Sequence, residues 1–144
     1  MARLEINLPT EYTEKLAKLG DEKVFKTVAS AAKASLKKNF KNALKKHKDT
    51  GQLINSIAAY TKYDEKSGEW QTFAKPKKGA YHIRKNKNGT ITKERMGTLV
   101  FVIEYGKKGQ APQPFINNVE RKTEPEAVEA MKKAFDKKLE ELGL

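Results

Sequence analysis

Phosphate capture is the first chemistry the sequence raises. Gly106-Lys107-Lys108-Gly109 follows an apolar run, Leu99 to Ile103, much as a phosphate-cradling loop follows a strand. A P-loop needs a longer glycine spacing and then Lys-Ser/Thr opening a helix. Gln110, Ala111 and Pro112 come next instead, so no nucleotide motif is completed. His47 and His82 are the two histidines, and neither has an acidic or histidine neighbour at metal-ligand spacing. Ser30, Ser35, Ser56 and Ser67 lack the G-x-S-x-G elbow that exposes a nucleophilic serine. Asp21 and Glu22 sit where a helix N-terminus attracts negative charge, so capping accounts for them. With no cysteine, thiol nucleophiles, disulfides and thiolate zinc sites are excluded. The residues point away from catalysis, and neither a cofactor nor a metal is expected.

Binding is the remaining class, and charge gives it a direction. The net charge of +12 favours an acidic partner: nucleic acid, an anionic surface or an acidic protein face. Only Arg3, Arg84, Arg95 and Arg121 are arginines, so most of that charge is lysine, a hydrated point charge less suited to reading phosphate and guanine. Two segments concentrate it: "KASLKKNFKNALKKHK", residues 33 to 48, and "YHIRKNKNGTITKER", residues 81 to 95. Either could neutralise phosphates without reading sequence, while the plain alternative for the first is the solvated side of an amphipathic helix. No finger, homeodomain or RRM pattern is present.

The elements that must position these residues follow from periodicity. Thr10 caps a short helix through Leu19, ended by Gly20 in a left-handed conformation, and Asp21 caps the next. Val24, Val28, Ala32, Leu36, Phe40 and Leu44 then share one helical face, with Lys26, Lys37 and Lys41 largely elsewhere, which predicts one long amphipathic helix. Its small-residue stretch, "ASAAKAS" from Ala29 to Ser35, predicts a close crossing over a sheet or a neighbour's helix. Asp49 or Thr50 caps a short turn that points Leu53 and Ile57 inward.

Beyond it the period changes. Tyr60, Trp70, Phe73, Tyr81, Ile83 and Ile91 fall in short β-forming stretches, with Trp70 and Phe73 read as core. Asn88-Gly89 suits a type I′ hairpin turn. "TLVFVIEY", residues 98 to 105, is apolar on both faces and predicts a central strand. Thr123 as N-cap, Pro125 in the first turn and Glu126 as capping-box partner predict a closing helix whose face is Val128, Met131, Phe135, Leu139 and Leu142. The expected architecture is α+β: a long N-terminal amphipathic helix and a C-terminal helix packed on a small antiparallel sheet. The length of 144 residues suits one domain. No apolar run approaches the roughly 20 residues of a membrane span and no secretory h-region opens the chain, so a soluble, unexported protein without membrane contact is expected.

Four features in order carry a family resemblance: the long N-terminal helix, "TGQLINSI", "LVFVIEYG", and "APQPFI" leading into the last helix. Together they resemble the tailed-bacteriophage neck and tail-completion family, also described as head-to-tail joining or minor tail components, founded on the tenth gene product of a lambdoid coliphage. The family pattern falls on Thr50, Gly51, Leu53, Ser56 and Ile57, then Glu104, Tyr105 and Gly106, then Pro114 and Phe115. Lys107 stands where the family commonly has Thr, and Asn117-Asn118-Val119 where Pro-Ala often follows.

The resemblance implies a non-enzymatic virion protein, made in the host cytoplasm. It would be a subunit of a homo-oligomeric ring, six- or twelve-fold, joining head to tail around the DNA channel. Its partners would be head-completion or connector proteins on one side and tail-terminator or tail-tube proteins on the other, with DNA passing through the lumen. Closed rings use heterologous contacts, one patch meeting a different patch next door. On that reading Glu104, Tyr105, Gly106, Lys107, Lys108 and Gly109 begin an assembly loop that Pro112 and Pro114 stiffen, lowering its ordering cost on docking. Phe115 anchors the exit, either in the chain's own core or in a neighbour's pocket. The alternatives are a small basic protein that binds nucleic acid without sequence preference, and a toxin-like enzyme whose site the sequence does not display.

Overall fold

The computed structural model describes residues 10–47 and 50–144, so the expected Asp49 cap and the opening residues lie outside it. Helix α1 (Thr10–Leu19) has Thr10 as its first helical residue rather than its cap. Gly20 follows with its N–H on Leu16 O at 3.2 Å, but without the expected left-handed conformation. Asp21 is an N-cap as expected: its extended backbone opens α2 (Glu22–Ser30) and its carboxylate accepts the Lys23 N–H at 3.0 Å.

The expected single long helix is interrupted. Helix α2 ends at Ser30 and α3 (Lys33–Leu44) begins after Ala31 and Ala32, whose N–H groups reach back only three residues, to Val28 O and Ala29 O. The cause lies in the neighbouring hairpin, where the Thr72 hydroxyl donates to Ala29 O at 2.6 Å. Buried Ala29 and Ala32 let that approach happen, so the small-residue stretch marks a close crossing over a sheet. The apolar stripe survives the break, with Val24, Ala32, Phe40 and Leu44 buried.

Thr50 is the N-cap residue of the short helix α4 (Gly51–Ser56), its C=O accepting the Ile54 N–H at 2.8 Å, but its side chain makes no capping bond. Its hydroxyl donates instead to Leu44 O at 2.8 Å and His47 O at 3.1 Å, tying the start of α4 back to the last residue of α3 and the turn after it. Strands β1 (Ile57–Asp64) and β2 (Glu69–Pro76) then pair antiparallel along their whole length, from Ile57↔Pro76 to Asp64↔Glu69. Cross-strand ring pairs, Tyr60 with Phe73 at 5.8 Å and Tyr63 with Trp70 at 5.4 Å, hold that register.

Strands β3 (Tyr81–Lys85) and β4 (Ile91–Arg95) form a second, separate antiparallel pair. Its turn is not type I′. The Gly89 N–H bonds Asn86 O at 3.0 Å, so Asn88 and Gly89 occupy the last two turn positions rather than the central two. Only Gly89, at φ 84°, needs glycine there, and the Asn86 amide ties the loop by donating to the Thr90 and Thr92 hydroxyls.

The largest difference from expectation is at residues 98–105, which belong to helix α5 (Met96–Tyr105), not to a central strand. Met96, Leu99, Val100 and Ile103 stand at i, i+3, i+4 and i+7, and all four pack on the main core. Burial of that helical stripe outweighs the β-preference of its Val, Ile, Phe and Tyr residues.

Helix α6 (Ile116–Glu141) begins well before Thr123 and carries Pro125 inside it. Thr123 is therefore not an N-cap, nor Glu126 a capping-box partner. Both side chains instead accept from the Asn39 amide, at 3.0 and 3.2 Å. Val128, expected on the apolar face, is exposed. Helix α6 packs chiefly on α2 and α3, whose other side meets β1 and β2, so the C-terminal helix rests on helices rather than on the sheet. The fold is thus mixed helix and sheet, with Phe40, Leu44, Leu53, Ile57, Met96, Phe115 and Val119 as its main core. No helix among the described residues is long and apolar enough to cross a membrane.

Candidate functional site

The residues singled out between Glu104 and Phe115 form one closed loop that joins α5 to α6. Gly106 ends α5 at φ 76° and ψ 178°, its N–H on Val102 O at 2.8 Å. A Cβ there would lie 2.8 Å from both Gln110 O and Pro112 N, so the residue's missing side chain is what lets the loop fold back on itself. Lys107 and Gln110 exchange both backbone hydrogen bonds, at 3.0 and 2.9 Å, which places Lys107, Lys108 and Gly109 in a tight exposed turn. Gln113, between Pro112 and Pro114, donates its N–H to Ile103 O at 2.8 Å, while its side-chain oxygen meets Nδ1 of His47. The prolines fix φ on either side of that anchor.

Glu104 has a different task from the strand exit expected of it. Its buried carboxylate accepts the N–H groups of Phe115 at 2.8 Å and Ile116 at 3.1 Å. Those donors open α6, where N–H groups lack helical partners and the helix dipole is positive. One side chain near the end of α5 thereby caps the start of α6 and clamps the intervening loop. Phe115 itself is buried in the chain's own core, its ring edge-on to Phe40 at 5.4 Å and 86°.

Tyr105 projects the other way. With Phe101, one helical turn earlier, it forms a ring pair 4.8 Å apart, and the two residues are 64% and 60% exposed. The loop candidates thus divide: Glu104, Gly106 and Phe115 brace, while Tyr105, Lys107, Lys108 and Gly109 are presented outward. The other motif is internal. Leu53 and Ile57 are almost fully buried, Ser56 donates to Leu53 O at 2.6 Å, and Thr50 seals α3, leaving Gly51 exposed at the start of α4.

A cleft of about 290 Å³ lies between α3, the loop and α6, lined by Asn39, His47, Gln113 and Lys122 among others. Asn39 Oδ1 is the one buried side-chain polar atom without a partner among the described residues. Nucleophile, base and orienting acid do not converge in this cleft. No group of three or more His, Asp and Glu able to hold a metal occurs among the described residues.

Sequence reasoning missed Phe101, Asn39 and Gln52. Phe101 was legible in the i, i+4 spacing to Tyr105 once the segment is read at helical period. Gln52 was not, because its partner is distant: its side-chain amide bonds both the N–H and the C=O of Ile83, at 3.1 and 3.2 Å, on the edge of β3. Comparison of the chain with protein-family models, with curated proteins and with solved structures gave no match.

Proposed function

We propose that the chain is a structural subunit of a ring in the neck of a tailed phage, joining the head connector to the tail. The observation that supports this most is an apolar pair, Phe101 and Tyr105, exposed beside a loop whose bends are each fixed from within. Preformed loops lose little entropy on docking, and exposed aromatic pairs are the kind of anchor an interface buries. The order of the "TGQLINSI", "EYG" and "PF" motifs is the order on which the family resemblance rests, although the segment ending in Glu104-Tyr105-Gly106 is helix α5 rather than the strand the resemblance implied. Glu104 and Phe115 hold the loop, and Tyr105, Lys107 and Lys108 meet the neighbour.

Light scattering tests the reading. The wild-type chain, alone or with connector and tail-terminator proteins, is expected to sediment and scatter as a ring, while Phe101→Ser/Tyr105→Ser folds normally and stays monomeric. A wild-type chain that remains monomeric with both partners present sinks the proposal.

A further inference from the structure

The β3–β4 hairpin is set apart from the rest of the molecule. It forms a sheet of its own, and beyond its two strands it packs mainly against the start of α5, with Gln52 holding its outer edge. A lone two-stranded hairpin is marginal in water, so an arm of this kind calls for something to lie against. Its composition indicates what. Arg84, Lys85, Lys87, Lys93 and Arg95 are all exposed, against the single carboxylate of Glu94, and two of the chain's four arginines are among them. The ion pairs among the described residues, Lys15–Glu11, Lys133–Glu129 and Lys138–Glu141, leave these five cations untouched.

The register sorts the arm's faces. Tyr81 opposes Arg95, Ile83 opposes Lys93 and Lys85 opposes Ile91, so one face is a ladder in which every cation stands beside an apolar side chain. Ile83 and Ile91 on that face are 51% and 64% exposed. A two-stranded ribbon fits the roughly 12 Å major groove of B-DNA, where the cations along its face meet the flanking phosphates.

We infer that the β3–β4 hairpin is a DNA-binding arm that contacts duplex DNA through its phosphates without reading sequence. The lysine-rich α3 is a poorer candidate despite its charge. It lies between α6 on one side and β1–β2 on the other, so it cannot enter a groove. This inference goes beyond the ring reading and does not depend on it, since a single subunit carries the whole arm.

The test is fluorescence anisotropy with a short labelled DNA duplex of mixed sequence, titrated with the full chain across ~50 to ~200 mM salt. Lys85→Ala/Lys93→Ala/Arg95→Ala, the three cations of the ladder face, is compared with Lys37→Ala/Lys38→Ala/Lys45→Ala on the exposed edge of α3 and its C-cap. Both variants remove three exposed cations, and far-UV circular dichroism confirms that both fold. The arm variant is expected to bind about tenfold more weakly or worse and to lower the salt slope by roughly 3, with the α3 variant near wild type. Equal losses in the two variants, or a larger loss in the α3 variant, overturn the inference. So does a wild-type chain that ignores DNA, or one that holds polyglutamate as tightly as duplex at the same salt, which assigns the arm to an acidic protein. Oligomeric state, read separately by light scattering, decides the ring proposal whichever way the titration falls.

Discussion

Glu104 and Gly106 carry the loop, and each does so for a reason specific to one atom. The Glu104 carboxylate takes two N–H groups that α6 would otherwise leave open in a buried place. A hydrogen bond to an ionised group contributes about 1.5 to 3 kcal/mol, more than a neutral cap supplies. Gly106 works by absence, since any Cβ would press on backbone atoms at 2.8 Å, and backbone cannot swing aside as a flexible side chain can. Gly109 is the matched comparison, with φ 82° but nothing within 4 Å of its would-be Cβ. Gly109→Ala is therefore expected to cost about 1 kcal/mol, the conformational penalty alone. Gly106→Ala is expected to cost about 3 kcal/mol or more, because the steric clash adds to that penalty. Urea denaturation of the two variants measures the difference. Equal costs mean that the close approach of Pro112 and Gln110 to Gly106 does not restrain the loop.

At the scale of elements, α6 runs through Pro125 without ending there. Proline in a helix interior removes the N–H that would bond the carbonyl four residues earlier, here Arg121, and crowds that carbonyl, at a cost near 3 kcal/mol. Pro125→Ala should restore the bond, with part of the gain offset by a more flexible unfolded chain, leaving about 2 kcal/mol of added stability. A rise in thermal and urea midpoints checks this; a fall means that the helix starts just after Thr123 with Pro125 in its first turn, as the Thr123 and Glu126 pattern implies from sequence alone. Elements whose signal is local were legible in this way: the Asp21 cap, the β-forming stretches, the hairpin at Asn88-Gly89 though not its turn type, and the constrained backbone of Gly106, Pro112 and Pro114. Elements decided by a distant partner were not. The break at Ala31-Ala32 depends on the Thr72 hydroxyl, Thr123 is claimed by Asn39, and α6 starts where it does because Glu104 reaches it. Helix α5 is the instructive case, since its β-branched composition spoke for a strand while Met96, Leu99, Val100 and Ile103 already kept helical spacing. The exposed Phe101–Tyr105 pair, on the opposite side of that stripe, became visible only with the period corrected.

For the molecule as a whole, the core is small and its members come from elements spread along the chain, from α3 to α6. Phe40 and Leu44 from α3, Leu53 from α4, Ile57 from β1, Met96 from α5, and Phe115 and Val119 at the start of α6 form one cluster. Two of the three family-like motifs therefore meet inside it: Leu53 and Ile57 from the first, Phe115 from the last. Phe115 is the residue with most to lose, because its ring is the edge-on partner of Phe40 and its backbone N–H is held by Glu104. Truncation to alanine deletes the ring but leaves that hydrogen bond, so the loss is a packing loss of about 3 to 5 kcal/mol. Set against a total stability of roughly 5 to 15 kcal/mol, this takes a large share of what holds the chain folded. Phe115→Leu, which refills much of the volume, should recover most of the difference, whereas a ring serving a neighbour's pocket would leave monomer stability unchanged in both variants. Urea denaturation in the Phe101→Ser/Tyr105→Ser background, which the ring proposal expects to be monomeric, isolates the measurement from assembly. A Phe115→Ala midpoint equal to that of the background would move Phe115 from the core to the interface.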